Sequence, residues 1–168
     1  GDPGIRDTLR IDSTMAFVSG SGVVPVHFYN DEALFGLEMT IHHNGVGIRI
    51  DSFSFAGGRV ATAALRNTRV SDDSTIVTVS AFETGTNVIQ AGSGLLGLLY
   101  LSYEEIIAPQ TATIDTTSWK PGSVEFGTSF YLPSLVAYEP VFKRGYLTVA
   151  DNPPSFDSVW VASNNGVA

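Results

Sequence analysis

Apolar and polar residues alternate with a period of two along almost the whole chain. Ile5, Leu9 and Ile11 fall on one side and Arg6, Thr8, Arg10 and Asp12 on the other, the pattern of a strand with one buried face. Val24, Val26 and Phe28 alternate with Pro25, His27 and Tyr29. Pro25 cannot donate to a ladder, so this strand is expected to have a free edge there. Leu37, Met39 and Ile41 point one way, Glu38, Thr40 and His42 the other. Asn44-Gly45 predicts a type I′ hairpin, because both residues tolerate positive φ. Its return strand would carry Val46, Ile48 and Ile50, then Phe53 and Phe55, and end at Gly57-Gly58. Ser71-Asp72-Asp73-Ser74 predicts a turn, followed by a β-branched strand over 75–82 with Val77 and Val79 inward. Gly92-Ser93-Gly94 reads as a loop before a strand over 95–103, which is apolar on both faces and therefore central. Strands over 112–116, 123–126 and 146–149 complete the set.

About nine short strands separated by turn signals predict an all-β fold, a single β-sandwich or jelly roll. One helical turn over 104–108 is the most helix the pattern allows. No internal repeat or low-complexity tract is visible. Asp151-Asn152-Pro153-Pro154 separates a sandwich over 1–150 from a tail over 151–168.

The order Val23-Val24-Pro25-Val26-His27-Phe28-Tyr29-Asn30-Asp31-Glu32, then residues 34–41, resembles the opening of a cohesin-like domain. The likeness continues through Asp51-Ser52-Phe53-Ser54-Phe55-Ala56-Gly57-Gly58-Arg59-Val60. It resumes at Gly92-Ser93-Gly94-Leu95-Leu96-Gly97-Leu98-Leu99-Tyr100 and at Thr113-Ile114-Asp115-Thr116-Thr117. It spans roughly residues 7–149 and is nearest to the cohesin-like modules of large secreted bacterial surface proteins. The resemblance implies a nine-stranded jelly roll without catalytic residues. Cellulosomal cohesins dock a calcium-loaded dockerin on one sheet face, and relatives serve as adhesion or assembly modules. No short motif marks that face, so no partner-binding position is carried over.

Composition narrows the partners. Of 168 residues, 43% are hydrophobic and 15% charged, which excludes a disordered chain. Lys and Arg number 9 against 17 Asp and Glu, a formal charge of −8. A chain this acidic repels phosphate, so neither nucleic acid nor membrane insertion is expected. The longest apolar run, residues 94–101, is far short of the ~20 residues that cross a bilayer. With no cysteine, thiolate metal sites, disulfides and cysteine nucleophiles are excluded. A start at Gly1 implies a processed or excised chain. Few lysines and abundant Thr, Ser and Val point to an extracellular or cell-surface protein.

Candidate chemistry is sparse. Gly92-Ser93-Gly94-Leu95-Leu96-Gly97 satisfies G-x-G-x-x-G, with Asp115 downstream. A dinucleotide site needs a helix N-terminus after the glycines, and a strand-like leucine run follows instead. Adjacent His42 and His43 face opposite ways on a strand. His27 and His42 are expected as outward neighbours on two strands, at the surface beside the hairpin. No G-x-S-x-G elbow nominates a serine, and the adjacent Glu104 and Glu105 are the only suggestion of a carboxylate pair. No Asn-x-Ser/Thr acceptor occurs: Asn67 is followed by Thr68 and Arg69. No cofactor is expected beyond calcium, for which the loops Asn30-Asp31-Glu32, Asp72-Asp73 and Asp151-Asn152 offer carboxylates. Against calcium stands ordinary turn chemistry, in which Asp and Asn bond their own backbone. Trp119, Tyr131, Tyr138 and Trp160 would form sugar-stacking platforms in a carbohydrate-binding module, unless they fold back to cap the ends of the sandwich.

The tail reads Ser-Phe-Asp-Ser-Val-Trp-Val over 155–161. As a strand it places Phe156 and Trp160 on one face and Val159 and Val161 on the other. Each large side chain gains about 1.5–3 kcal/mol on full burial, while fixing each residue costs about 1–2 kcal/mol. Ladder hydrogen bonds to a preformed sheet edge tip that balance. Phe156, Val159, Trp160 and Val161 are thus expected to add as a strand to another copy of the chain, building a fibre or array. A dockerin-type partner is the alternative, and polysaccharide binding the next.

Overall fold

The computed structural model describes residues 2, 4–18, 20–104 and 107–152. Thirteen strands stand in two stacked sheets. They are β1 (Thr8–Ile11), β2 (Thr14–Phe17), β3 (Gly22–Asn30), β4 (Gly36–His43), β5 (Ile48–Ser54), β6 (Leu65–Val70) and β7 (Ile76–Phe82). The second half holds β8 (Gly92–Tyr103), β9 (Gln110–Thr116), β10 (Ser129–Tyr131), β11 (Ala137–Tyr138), β12 (Val141–Lys143) and β13 (Gly145–Ala150). Among the described residues there is no helix.

One sheet runs β12-β1-β3-β8-β5. The other is built around β4. Along one side β4 pairs with β7, which pairs with β6. Along the other it pairs first with β10 at residues 36–38 and then with β9 at 41–43. From there the sheet continues through β13 to β2.

Alternation places Leu9, Val24, Val26, Phe28, Leu99 and Leu101 against Leu37, Met39, Ile41, Val77, Val79, Ile114 and Leu147, all buried between the layers. Phe28 meets Phe130 edge-on across the layers, with ring centroids 6.0 Å apart, and Phe130 meets Tyr138 at 6.2 Å. This aromatic column joins the two sheets.

The fold class expected from the sequence stands, with several local corrections. Among the described residues the jelly roll has thirteen strands rather than about nine. β2, β6, β10, β11 and β12 are short or solvent-facing and carry little alternation. The expected strand over 123–126 is only one bridge between Trp119 and Phe126.

Asn44-Gly45 does not close a hairpin, because β4 and β5 belong to different sheets. The connection is an arch. Asn44 Oδ1 accepts from the Thr113 amide at 2.8 Å, and the positive φ falls at Gly47. Val46 lies exposed in the arch rather than on a return strand, and Ile5 is exposed ahead of β1. The Ser71–Ser74 turn forms as expected and joins β6 to β7.

Gly92-Ser93-Gly94 is strand, not loop, and β8 sits between β3 and β5. A Cβ on Gly97 would lie 2.3 Å from the Ser54 carbonyl, so close strand approach accounts for that glycine. β3 is internal, between β1 and β8, so the free edge expected at Pro25 is not found. β1 has ended there, but the Pro25 carbonyl accepts the Asp12 amide, at 3.0 Å, on that side. A bulge at Asp51 moves the inward set of β5 from Ile48 and Ile50 to Phe53 and Phe55.

Candidate functional site

The outer face of the β4 sheet carries an apolar row. Tyr131, Gly36, Phe82 and Leu65 are aligned across β10, β4, β7 and β6. Their strand neighbours Phe130, Leu37 and Ala81 point inward, which turns this row to the outside. Gly36 is the device that makes it continuous. A Cβ there would sit 2.0 Å from Phe82 Cδ1, so only glycine lets the Phe82 ring lie across the strand. Phe82 then packs on Tyr131 at 5.2 Å and on Phe35 at 5.8 Å.

Leu65, 59% exposed, ends the row on the edge strand. Beyond its other end, a cavity of about 330 Å³ is lined by Phe35, Val88, Pro133 and Leu135, among others. Leu135 is held at φ 68° and is 65% exposed. A leucine in the left-handed region costs of order 1–3 kcal/mol, and such strain clusters at binding sites.

Further along the same face the rows turn polar. Thr40 and Thr78 share a hydrogen bond of 2.9 Å beneath a loop anchored by the Thr40 hydroxyl donating to the Gly127 carbonyl. At the far end Arg69 lies 5.2 Å from the Trp119 ring centroid, beside a cavity of about 440 Å³ lined by Arg69, Asp73, Ile76 and Trp119, among others.

Four carboxylates gather at one end of the sandwich. Asp2 and Asp7 come from the segment leading into β1, and Asp31 and Glu32 from the crossover between β3 and β4. One ligand oxygen from each falls within 4.8 Å of all the others. Asp7 is fully buried and accepts the Asp31 amide at 3.0 Å. The Tyr138 hydroxyl lies against Asp7 Oδ2 and 2.6 Å from Glu32 Oε1. Burial raises Asp7 above the usual carboxylate range. Glu32 is pushed up to about 7, first by burial and then by its hydrogen bond with Asp31.

Asp73, in another of the acidic loops, follows turn chemistry instead. Asp73 Oδ1 accepts from the Ser71 and Thr75 hydroxyls, both at 2.7 Å, and these bonds hold its carboxyl low.

The remaining candidates disperse. His27 and His42 lie in different sheets and are not neighbours. His27 Nδ1 lies 3.3 Å from Asp12 Oδ2. His43 is buried, not at the surface. It accepts the Gly45 amide on Nδ1, and burial lowers its pKa. Tyr138 is buried and is no sugar platform. Tyr131 and Trp119 are half-buried, packed on Phe82 and Phe126 respectively. Glu105 and the tail residues Phe156, Val159, Trp160 and Val161 lie outside the described residues.

Sequence reasoning named Asp31 and Glu32 but missed Asp2, Asp7 and the role of Tyr138. Asp7 has the same parity as the inward Leu9 and Ile11, so an acid on the buried side was the available signal.

A jelly-roll sandwich with one open, partly apolar sheet face defines a class, and solved structures place the fold within it. The seventh ScaB type I cohesin of Pseudobacteroides cellulosolvens superposes with a TM-score of 0.71 at 16% identity, covering 89% of this chain and 95% of that one. A cohesin–dockerin complex from Clostridium thermocellum, Coh-OlpA with Doc918, matches at 0.68 and 16% identity, over 86% and 99%. A non-cellulosomal cohesin from the archaeon Archaeoglobus fulgidus matches at 0.65 and 12% identity, over 87% and 92%. The chain therefore has the cohesin fold. No protein-family model and no curated protein matches it.

Proposed function

We propose that this chain is a non-enzymatic, extracellular docking module that binds a dockerin-type protein on the outer face of the β4 sheet. The observation that carries this reading is the apolar row from Tyr131 to Leu65, with Gly36 opening the strand for Phe82. A contiguous apolar stripe on an exposed sheet face suits a protein partner. The cohesin fold supports the choice of partner, since solved relatives include complexes with dockerins. Titration calorimetry of the chain against a panel of dockerin-type domains tests it. Saturable heat with at least one domain is expected. Silence across the panel, together with quenching of Trp and Tyr fluorescence by polysaccharides, would favour carbohydrate binding instead.

Self-association by strand addition is a second reading, favoured by the two-faced sequence over 156–161 and by β6, an open and largely exposed edge. On this reading a chain ending at Asp151 stays folded and sediments as a monomer, while the full chain forms larger species. Polymers of equal size from both chains would rule out a role for the tail.

A further inference from the structure

We propose that Asp2, Asp7, Asp31 and Glu32 form a calcium site that ties the segment before β1 to the β3–β4 crossover and to β11. Three facts beyond the clustering of acids point to a cation. First, Asp2 Oδ1, Asp31 Oδ1 and Glu32 Oε2 are shut off from solvent, and with the carboxyls ionised no protein donor reaches them. Leaving a buried carboxylate oxygen unmatched costs more than a neutral group would. Second, Tyr138 has one proton and two carboxylates within hydrogen-bonding distance, Asp7 and Glu32. One hydroxyl cannot donate to both, so the second carboxylate needs another partner, a bound cation or a proton of its own.

Third, among the described residues no Lys or Arg forms an ion pair with the cluster. The Lys and Arg ion pairs among the described residues are Arg10 with Asp12 and Arg144 with Asp115. Arg59, the guanidinium beside the crossover, donates to Asn30 Oδ1 at 2.9 Å and lies over the Phe28 ring at 4.1 Å.

The donor set selects the ion. It is all oxygen, with carboxylates able to bind through one or both atoms. Calcium accepts six to eight such ligands in irregular geometry at about 2.3–2.6 Å, whereas magnesium demands a regular octahedron and zinc prefers nitrogen and sulfur. Asp2, Asp31 and Glu32 offer the unmatched oxygens, and Asp7, fixed by the Asp31 amide and Tyr138, forms the floor. The backbone is shaped to the same end. Gly4, at φ 79°, passes so close to Asp31 that a Cβ would lie 2.3 Å from Oδ2.

The site joins the two layers, since β3 belongs to one sheet and β4 and β11 to the other. It does not depend on what docks on the outer face.

The test is thermal melting of the chelator-stripped full chain, with and without calcium chloride. At pH 8, calcium at a hundredfold excess over Kd should raise it by about 5–10 °C, and magnesium by less. Glu32→Gln should melt higher than the native chain in chelator yet lose the calcium response, binding at least tenfold more weakly by calorimetry. Terbium luminescence excited through tyrosine reads the same site independently of stability. No calcium shift and no terbium signal at millimolar ion would overturn the proposal, as would a Glu32→Gln chain with the native response.

Discussion

Replacing Phe130 by alanine is expected to cost about 3–5 kcal/mol of stability. Phe130 is fully buried and holds the middle of the column from Phe28 to Tyr138. Deleting its ring removes edge-to-face contacts with both neighbours and leaves a cavity between strands of opposite sheets, where neither backbone can collapse freely. The loss is a large part of the ~5–15 kcal/mol that holds a domain of this size. It should appear in urea unfolding as a lower midpoint at an unchanged slope. Phe130→Leu, which keeps most of the volume, should lose less than half as much. A cost below about 1 kcal/mol for the alanine variant would mean that the sheets are not joined there.

Leu65→Asp is expected to leave the fold intact and to weaken partner binding at least about 100-fold, equivalent to about 2.7 kcal/mol. Leu65 is largely exposed on an edge strand, so its side chain contributes little to the core. In a complex it would be desolvated beside Phe82, at the end of the apolar row. A carboxylate at that point would be buried without a partner, the costliest kind of interface change. Leu65→Ala should show a smaller loss in the same direction. Surface plasmon resonance on the immobilised chain reads both, with circular dichroism as the control for folding.

Much of the sandwich was legible because burial is enforced at period two. Val24, Val26 and Phe28, or Val77 and Val79, cannot shift by one residue without turning a whole face outward. The arch at Asn44-Gly45 was not legible. Turn propensity is local, whereas pairing is decided by β8, fifty residues away, which claims β5. β6 was missed because Leu65-Arg66-Asn67-Thr68-Arg69-Val70 lies at an edge and needs no alternation. The acidic cluster was half legible. Asp31 and Glu32 stand together in a loop, but Asp2, Asp7 and Tyr138 arrive from distant positions that only the topology brings to the same end. The apolar row was invisible in sequence because its four members come from four strands, and its key residue, Gly36, has no side chain.

Hydrogen exchange of the chain, alone and with the tightest-binding dockerin-type domain, tests the docking account most directly. The account expects slowed exchange in β4, β6 and β7, strongest around Leu65 and Phe82, with β5 and β8 unchanged. Slowed exchange confined to β5 and β8, or no binding by any such domain, would contradict it.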